Sequence, residues 1–174
     1  MHDTLEPQDC DVSLEVHAAG MLASVAHDLR LRAPLASASR IENDAILLRF
    51  IVASIEVTQS CRHGTERWGT AASSDKATIE DKIRTQVFGS VSEVLVRVTM
   101  ANTRAQLVVK SGSREQRAEC LVVRTESPEA LSLKGELTLS LSALGLTQPK
   151  IPLGAVKLHD SVTVRFDARL RAQR

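Results

Sequence analysis

Few residues of this chain have the type and spacing to do chemistry. His27-Asp28 sets an imidazole beside a carboxylate, a pairing that can serve as a general base or a metal ligand. Neighbouring residues of a strand point to opposite faces, however, so the two cannot easily cooperate and read better as partners in structural hydrogen bonds. Cys61 and His63 form C-x-H in a polar run, and with His27 or His17 they could in principle assemble a metal site. Zinc sites usually show paired ligand spacings, which are absent here, so no metal is expected. His2 and His159 read as solvent-exposed. No G-x-S-x-G elbow and no glycine-rich phosphate loop occurs, so no catalytic residue and no cofactor is expected and the protein reads as a non-enzyme. Arg165, Arg169, Arg171 and Arg174 gather at the end, the first two simply on the wet face of a strand.

Composition narrows the choice further. The chain has 174 residues, large enough for one domain with a real core or a cavity. Twenty-two basic against 21 acidic residues leave a net charge of +1, which offers no field for a polyanion. Three Phe, one Trp and no Tyr supply few rings for stacking bases, so nucleic acid is not an expected partner. Leu, Val, Ile and Ala must therefore fill the interior or leave part of it empty. The opening MHDTLEPQDC is acidic where a leader needs a basic end, and no run approaches 18 apolar residues. A cytoplasmic protein without a transmembrane segment is expected, or a periplasmic one if a leader has been removed. Cys10, Cys61 and Cys120, odd in number and without CxxC spacing, read as reduced thiols.

The elements that must position these residues are mostly strands. From Ala130 to Leu170 the chain alternates: Leu131, Leu133, Leu137, Leu139 and Leu141 face one way, and Val162, Val164, Phe166, Ala168 and Leu170 repeat the pattern. Eleven such residues span roughly 36 Å at about 3.3 Å each, a length suited to the antiparallel strands of a closed barrel. Residues 1–10 read as a flexible tail, and residues 11–174 as a single domain. A first strand holds Val12, Leu14 and Val16, and a second runs from Met21 to Arg32. Glu42-Asn43-Asp44 is a turn candidate. Ala45 to Val57, apolar on both faces, reads as one strand covered from both sides.

Residues 58–74 then form a polar loop containing Trp68, either a lid over a pocket mouth or a plain anchor. Asp75 is placed to cap a helix over about 76–87, with Ile79, Ile83 and Val87 on one face and Glu80–Arg84 on the other. A strand through Val94, Val96, Val98 and Met100 follows, and a hairpin turns at Ser111-Gly112-Ser113. The expectation is an all-β, mainly antiparallel barrel, closed or nearly closed, of about eight strands with one mid-chain α-helix.

Three segments resemble those of YceI-like domains. They are SLEVHAAGMLASVAHDLRLRAP, the helix-and-strand DKATIEDKIRTQVFGSVSEVLVRVTM, and the closing LSLSALGLTQPKIPLGAVKLHDSVTVRFDARL with its glycine bend, proline and final alternating strand. The resemblance covers nearly the whole chain and implies a lipocalin-like barrel with an elongated apolar interior. It also implies a long-chain, isoprenoid or fatty acid-like partner. This sequence departs from that pattern in reading Ser111-Gly112 where the family often has His-Gly, and in its scarcity of rings.

The residues expected to face such a ligand are Phe50, Val52, Val96, Val98, Met100, Leu137, Leu139, Val164 and Phe166, with Trp68 at the mouth. Against this binding function stands a barrel packed solid that acts as a protein-interaction or structural module, and a homodimer is compatible with either. A third alternative is a small hydrolase or isomerase using His27 or His63.

Overall fold

The computed structural model describes residues 4–41, 45–127, 130–148 and 157–172. Among these residues, eleven strands form one strongly curled antiparallel sheet. They are β1 (Thr4–Ala19), β2 (His27–Arg32), β3 (Leu35–Arg40), β4 (Ile46–Ile51), β5 (Glu56–Arg62), β6 (Gly69–Thr70), β7 (Glu93–Ala101), β8 (Arg104–Ser111), β9 (Arg114–Glu126), β10 (Ala130–Ser140) and β11 (Lys157–Ala172). The pairings run β1, β11, β10, β9, β8, β7, β4, β3 and return to β1, so eight strands make a lipocalin-like barrel as expected. The free edge of β1 is shared. Thr4 and Leu5 pair with β3, whereas Ser13 to Val16 pair with β2, and β5 and β6 continue outward from there.

Alternation decides which side chains go in. Val12, Val16, Leu31, Val98, Leu107, Val122, Leu133, Val164 and Leu170 are buried in one core. The β8–β9 hairpin turns at Gly112, whose φ of 57° suits a residue without Cβ. Within the β10–β11 register Gly135 faces Phe166, and the missing side chain leaves room for the ring.

Several sequence expectations need correction. Residues 4–10, read as tail, belong to β1, because β11 pairs with them from Leu5↔Ala172 onward and supplies ladder hydrogen bonds that local sequence does not reveal. Pro7 sits at a shift of that register, where a missing N–H is tolerated. The second strand begins only at His27, after the bend at Gly20 and a 3₁₀ turn at Ala23–Val25. Ala45 to Val57 is two strands, broken by a 3₁₀ turn at Val52–Ser54 in which the Ser54 hydroxyl donates to the Ile51 carbonyl at 2.7 Å. The supposed loop of residues 58–74 is not one loop: it holds the end of β5, the two-residue β6 and the start of α1, with 63–68 and 71–72 between them. The turn at 42–44 and the proline near 149 lie outside the described residues.

The helix is also displaced. α1 spans Ser73–Lys82 and starts after Ala72, so Asp75 lies in its first turn, where a carboxylate meets the positive helix end, and is not the cap. A π-helical turn, Ile83–Phe88, continues it to Gly89 at φ 59°. The apolar stripe is as read: Val87 is buried and Ile79 and Ile83 pack on the core. Glu80 ties α1 to the sheet. Its Oε1 accepts the Val57 N–H at 2.8 Å, while Arg84 lies 3.5 Å and Lys76 3.8 Å from its carboxylate oxygens.

Val57 is buried, so removing that acceptor leaves a backbone donor unsatisfied. Glu80→Ala is expected to cost about 1–3 kcal/mol in urea unfolding, with Glu80→Gln retaining most of the stability because its amide oxygen still accepts. Equal losses in the two variants would refute this account.

Candidate functional site

The barrel interior is not filled. A cavity of about 210 Å³ runs inside the sheet, with a wall of mostly aliphatic side chains and three Phe rings, Phe50, Phe88 and Phe166. Phe50, Val96, Val98, Met100, Leu137, Leu139, Val164 and Phe166 all line it. Val52 does not. It is buried in the 3₁₀ turn between β4 and β5. Trp68 does not either: its ring stacks on the Arg30 guanidinium, 4.0 Å from charge centre to ring centroid. The wall at one end comes from Ile83, Val87 and Phe88 of the π-helical turn together with Leu144 and Leu146. Thr147 fixes that end by donating its N–H to the Val87 carbonyl at 3.1 Å. Ser111 is a polar residue of the lining, and its buried hydroxyl lacks a partner among the described residues.

A void of this size and polarity has predictable contents. It exceeds the roughly 150 Å³ apolar cavities that stay dry and take up benzene, and falls below the roughly 300 Å³ at which drug-sized pockets begin. Water gains little from a wall whose polar side chain is Ser111 alone among otherwise apolar lining residues. A slender apolar chain gains about 0.8 kcal/mol per buried CH₂.

The polar residues gather elsewhere. Val16 and Leu29 face the cavity, so Glu15, His17, Asp28 and Arg30 lie on the outer wall of β1 and β2. Asp28 is the hub, 4% exposed. Its Oδ1 accepts the Ala18 N–H at 2.8 Å and lies 2.8 Å from His63 Nδ1, while Oδ2 lies 3.0 Å from His17 Nδ1. Burial pushes the Asp28 carboxyl up, but hydrogen bonds from His17, the Ala18 amide and His63 together hold it below the usual carboxylate range.

Glu15 is the second hub. Its Oε2 accepts from Arg165 Nη1 at 2.8 Å and from Arg30 Nε at 3.0 Å, and Arg165 Nε also reaches Glu136 at 2.6 Å. Burial raises the Glu15 carboxyl and the two guanidiniums, Arg165 foremost, lower it further, leaving it below its ordinary value. Arg165 is thus part of a bridging chain and more than a solvated stripe.

His27 and Asp28 do face apart as expected, with His27 exposed. Asp28 instead meets His17 and His63, two of the three histidines that the sequence offers beside Cys61 as metal candidates. Cys61 stands opposite Asp28 in the β2–β5 register, yet burial, and after it the Asp28 charge, push its thiol up. It stays a free, buried thiol, as Cys120 does, and Cys10 is also unpaired. The sequence does not single out Glu15, and it singles out Ser111 only as part of a hairpin turn. The β1–β2 register sets Glu15 opposite Arg30 and, with Val16↔Leu29, extrapolates to His17 opposite Asp28, a relation that needs the fold.

No protein-family model matches the chain, and no curated protein matches it. Among solved structures, BcnA of Burkholderia cenocepacia is similar at a TM-score of 0.53 and 12% identity, over 92% of this chain and 95% of that one. The likeness is one of fold. Among the described residues, no helix is long and apolar enough to cross a membrane.

Proposed function

We propose that the protein is a non-enzymatic carrier that encloses the chain of a lipid-like molecule, an isoprenoid or fatty acid, within its barrel. The observation that supports this most is the apolar cavity of about 210 Å³ inside the barrel. A solid interaction module would need no such space. The resemblance of three segments to YceI-like domains points the same way, since that family is associated with such ligands. The ligand is a single narrow chain, because an eight-stranded barrel is just wide enough for one. His27 is exposed and His63 is held against Asp28, and neither is among the residues that line the cavity.

Organic extraction of the purified full chain is expected to release a long-chain compound near one per protein, read by mass spectrometry. A fluorescent fatty-acid probe is expected to enter after delipidation. Val96→Phe, which fills the cavity from β7, should abolish probe uptake at a stability cost of about 1–3 kcal/mol. No extracted compound together with no probe uptake by the wild type would defeat the reading.

A second reading is carried by Leu121 and Val123, which are 68% and 69% exposed on the outer face of β9. They favour a homodimer through that face, compatible with ligand binding. Solution mass at micromolar concentration tests it, and a monomer removes it.

A further inference from the structure

We propose that His17, Asp28 and His63 form a binding site for a divalent transition-metal ion of the zinc class on the outer wall of the barrel. Three separate parts of the chain bring them together. His17 lies where the β1–β11 register shifts between Val16 and Ala18, an irregularity of the kind that re-aims a side chain. Asp28 follows the first residue of β2, and His63 leads the turn after β5, its backbone N–H held by the Ala26 carbonyl at 3.0 Å. One nitrogen of each imidazole and one carboxylate oxygen lie within 4.8 Å of one another.

The orientation of the rings carries the argument. Both histidines aim Nδ1 at the same carboxylate, at 3.0 and 2.8 Å. His17 also sets its Nε2 3.2 Å from Glu15 Oε1. A neutral imidazole has a single N–H and cannot donate to two carboxylates at once. Either a second proton or a cation between Nδ1 and Asp28 resolves this; with the cation, Nδ1 becomes the ligand and Nε2–H donates to Glu15. That is the carboxylate–histidine–metal relay by which outer partners fix a ligand's tautomer and raise its basicity. The Ala18 amide on Asp28 Oδ1 plays the same orienting part for the carboxylate.

Distance and donor type agree with the ion. Zinc bonds of about 2.0–2.2 Å in a tetrahedral shell put neighbouring donors roughly 3.4 Å apart, so the present spacings need widen by only about half an ångström. Two imidazoles and a carboxylate suit zinc and its neighbours, not calcium or magnesium, and leave a fourth position to solvent. The outer edge is open, with His17 and His63 side chains 38% and 35% exposed. The ion would pin the turn at 63–68 against β1 and β2.

The test is calorimetric titration of the tag-free, chelator-treated full chain with Zn²⁺, with Co²⁺ absorption as a second probe. The expected result is one ion per chain, a tetrahedral cobalt spectrum, and a melting temperature raised by Zn²⁺. Either His63→Ala or His17→Ala should weaken binding at least about tenfold, the loss seen even for outer partners of a metal. His27→Ala, at an exposed position, should bind as the wild type does. Failure of the wild type to bind at micromolar Zn²⁺, or undiminished one-to-one binding by the doubly substituted His17→Ala/His63→Ala chain, overturns the proposal.

Discussion

Leu170→Ala is expected to lower the unfolding free energy by about 3–4 kcal/mol, the largest loss from a single truncation in this barrel. Leu170 is 1% exposed and stands near the end of β11. It faces Pro7 of β1 on one side and Leu131 of β10 on the other, so it packs at the seam where the chain's two ends meet. Truncating a buried leucine removes its transfer free energy and leaves a void, together costing 2.7–5.0 kcal/mol in well-studied cores, with collapse of the site deciding the position in that range. Collapse is hindered here, because two ladder-bonded neighbours hold the backbone in place. Leu170 also lines the central cavity, so the new void joins an existing one.

Leu139→Ala is the internal comparison. Leu139 lines the same cavity but is only partly buried, and it should lose less, about 1–2 kcal/mol by area removed from water. Urea midpoints at unchanged m-value measure both. Equal losses would mean that the seam contributes nothing special. The enlarged cavity of Leu170→Ala should also accept a longer probe chain, which separates a carrier from a merely loose core.

The alternation of β10 and β11 was legible because these strands have one wet face, and a period of two then marks each residue as inside or outside. Leu137, Leu139, Val164 and Phe166 accordingly line the cavity. The same signal failed between Ala45 and Val57, where both faces are apolar. Without a polar face no periodicity marks the break at Val52–Ser54, and alternation alone makes Val52 an inward strand residue. For Trp68 the choice between lid and anchor is hidden from the sequence for a different reason. Its partner is Arg30, which β2 presents beside β5 only through the antiparallel register, a long-range relation absent from local sequence.

The polar cluster follows the same rule. His17, Asp28 and His63 carry no paired ligand spacing, and the relation that joins them is the register of three antiparallel segments. The sequence showed the types of these residues and correctly set His27 on the opposite face from Asp28. The meeting of the other two histidines needed the fold.

Gly135→Ala is the complementary expectation: adding a single methyl group should destabilise the barrel by about 1–2 kcal/mol. Gly135 sits inside β10, where an alanine would ordinarily help by roughly 0.5–1 kcal/mol through backbone entropy. A Cβ there would lie 2.7 Å from Phe166 Cζ and 2.8 Å from the Leu121 carbonyl oxygen. The ring can tilt, into the cavity that it lines. The carbonyl belongs to the β9 backbone, whose neighbour Val122 pairs with Gly135, and can yield only by disturbing that ladder. Overpacking of this kind costs about 1–3 kcal/mol, so it outweighs the entropic gain.

A double-mutant cycle separates the two clashes. Phe166→Leu should cost less in the Gly135→Ala background than in the wild type, with a coupling of about 0.5–1 kcal/mol if the ring is a main obstacle. The remainder of the penalty then belongs to the Leu121 carbonyl. An alanine variant as stable as the wild type would show that the ring and β9 move aside at no cost, and that Gly135 is not what admits Phe166 to the interior.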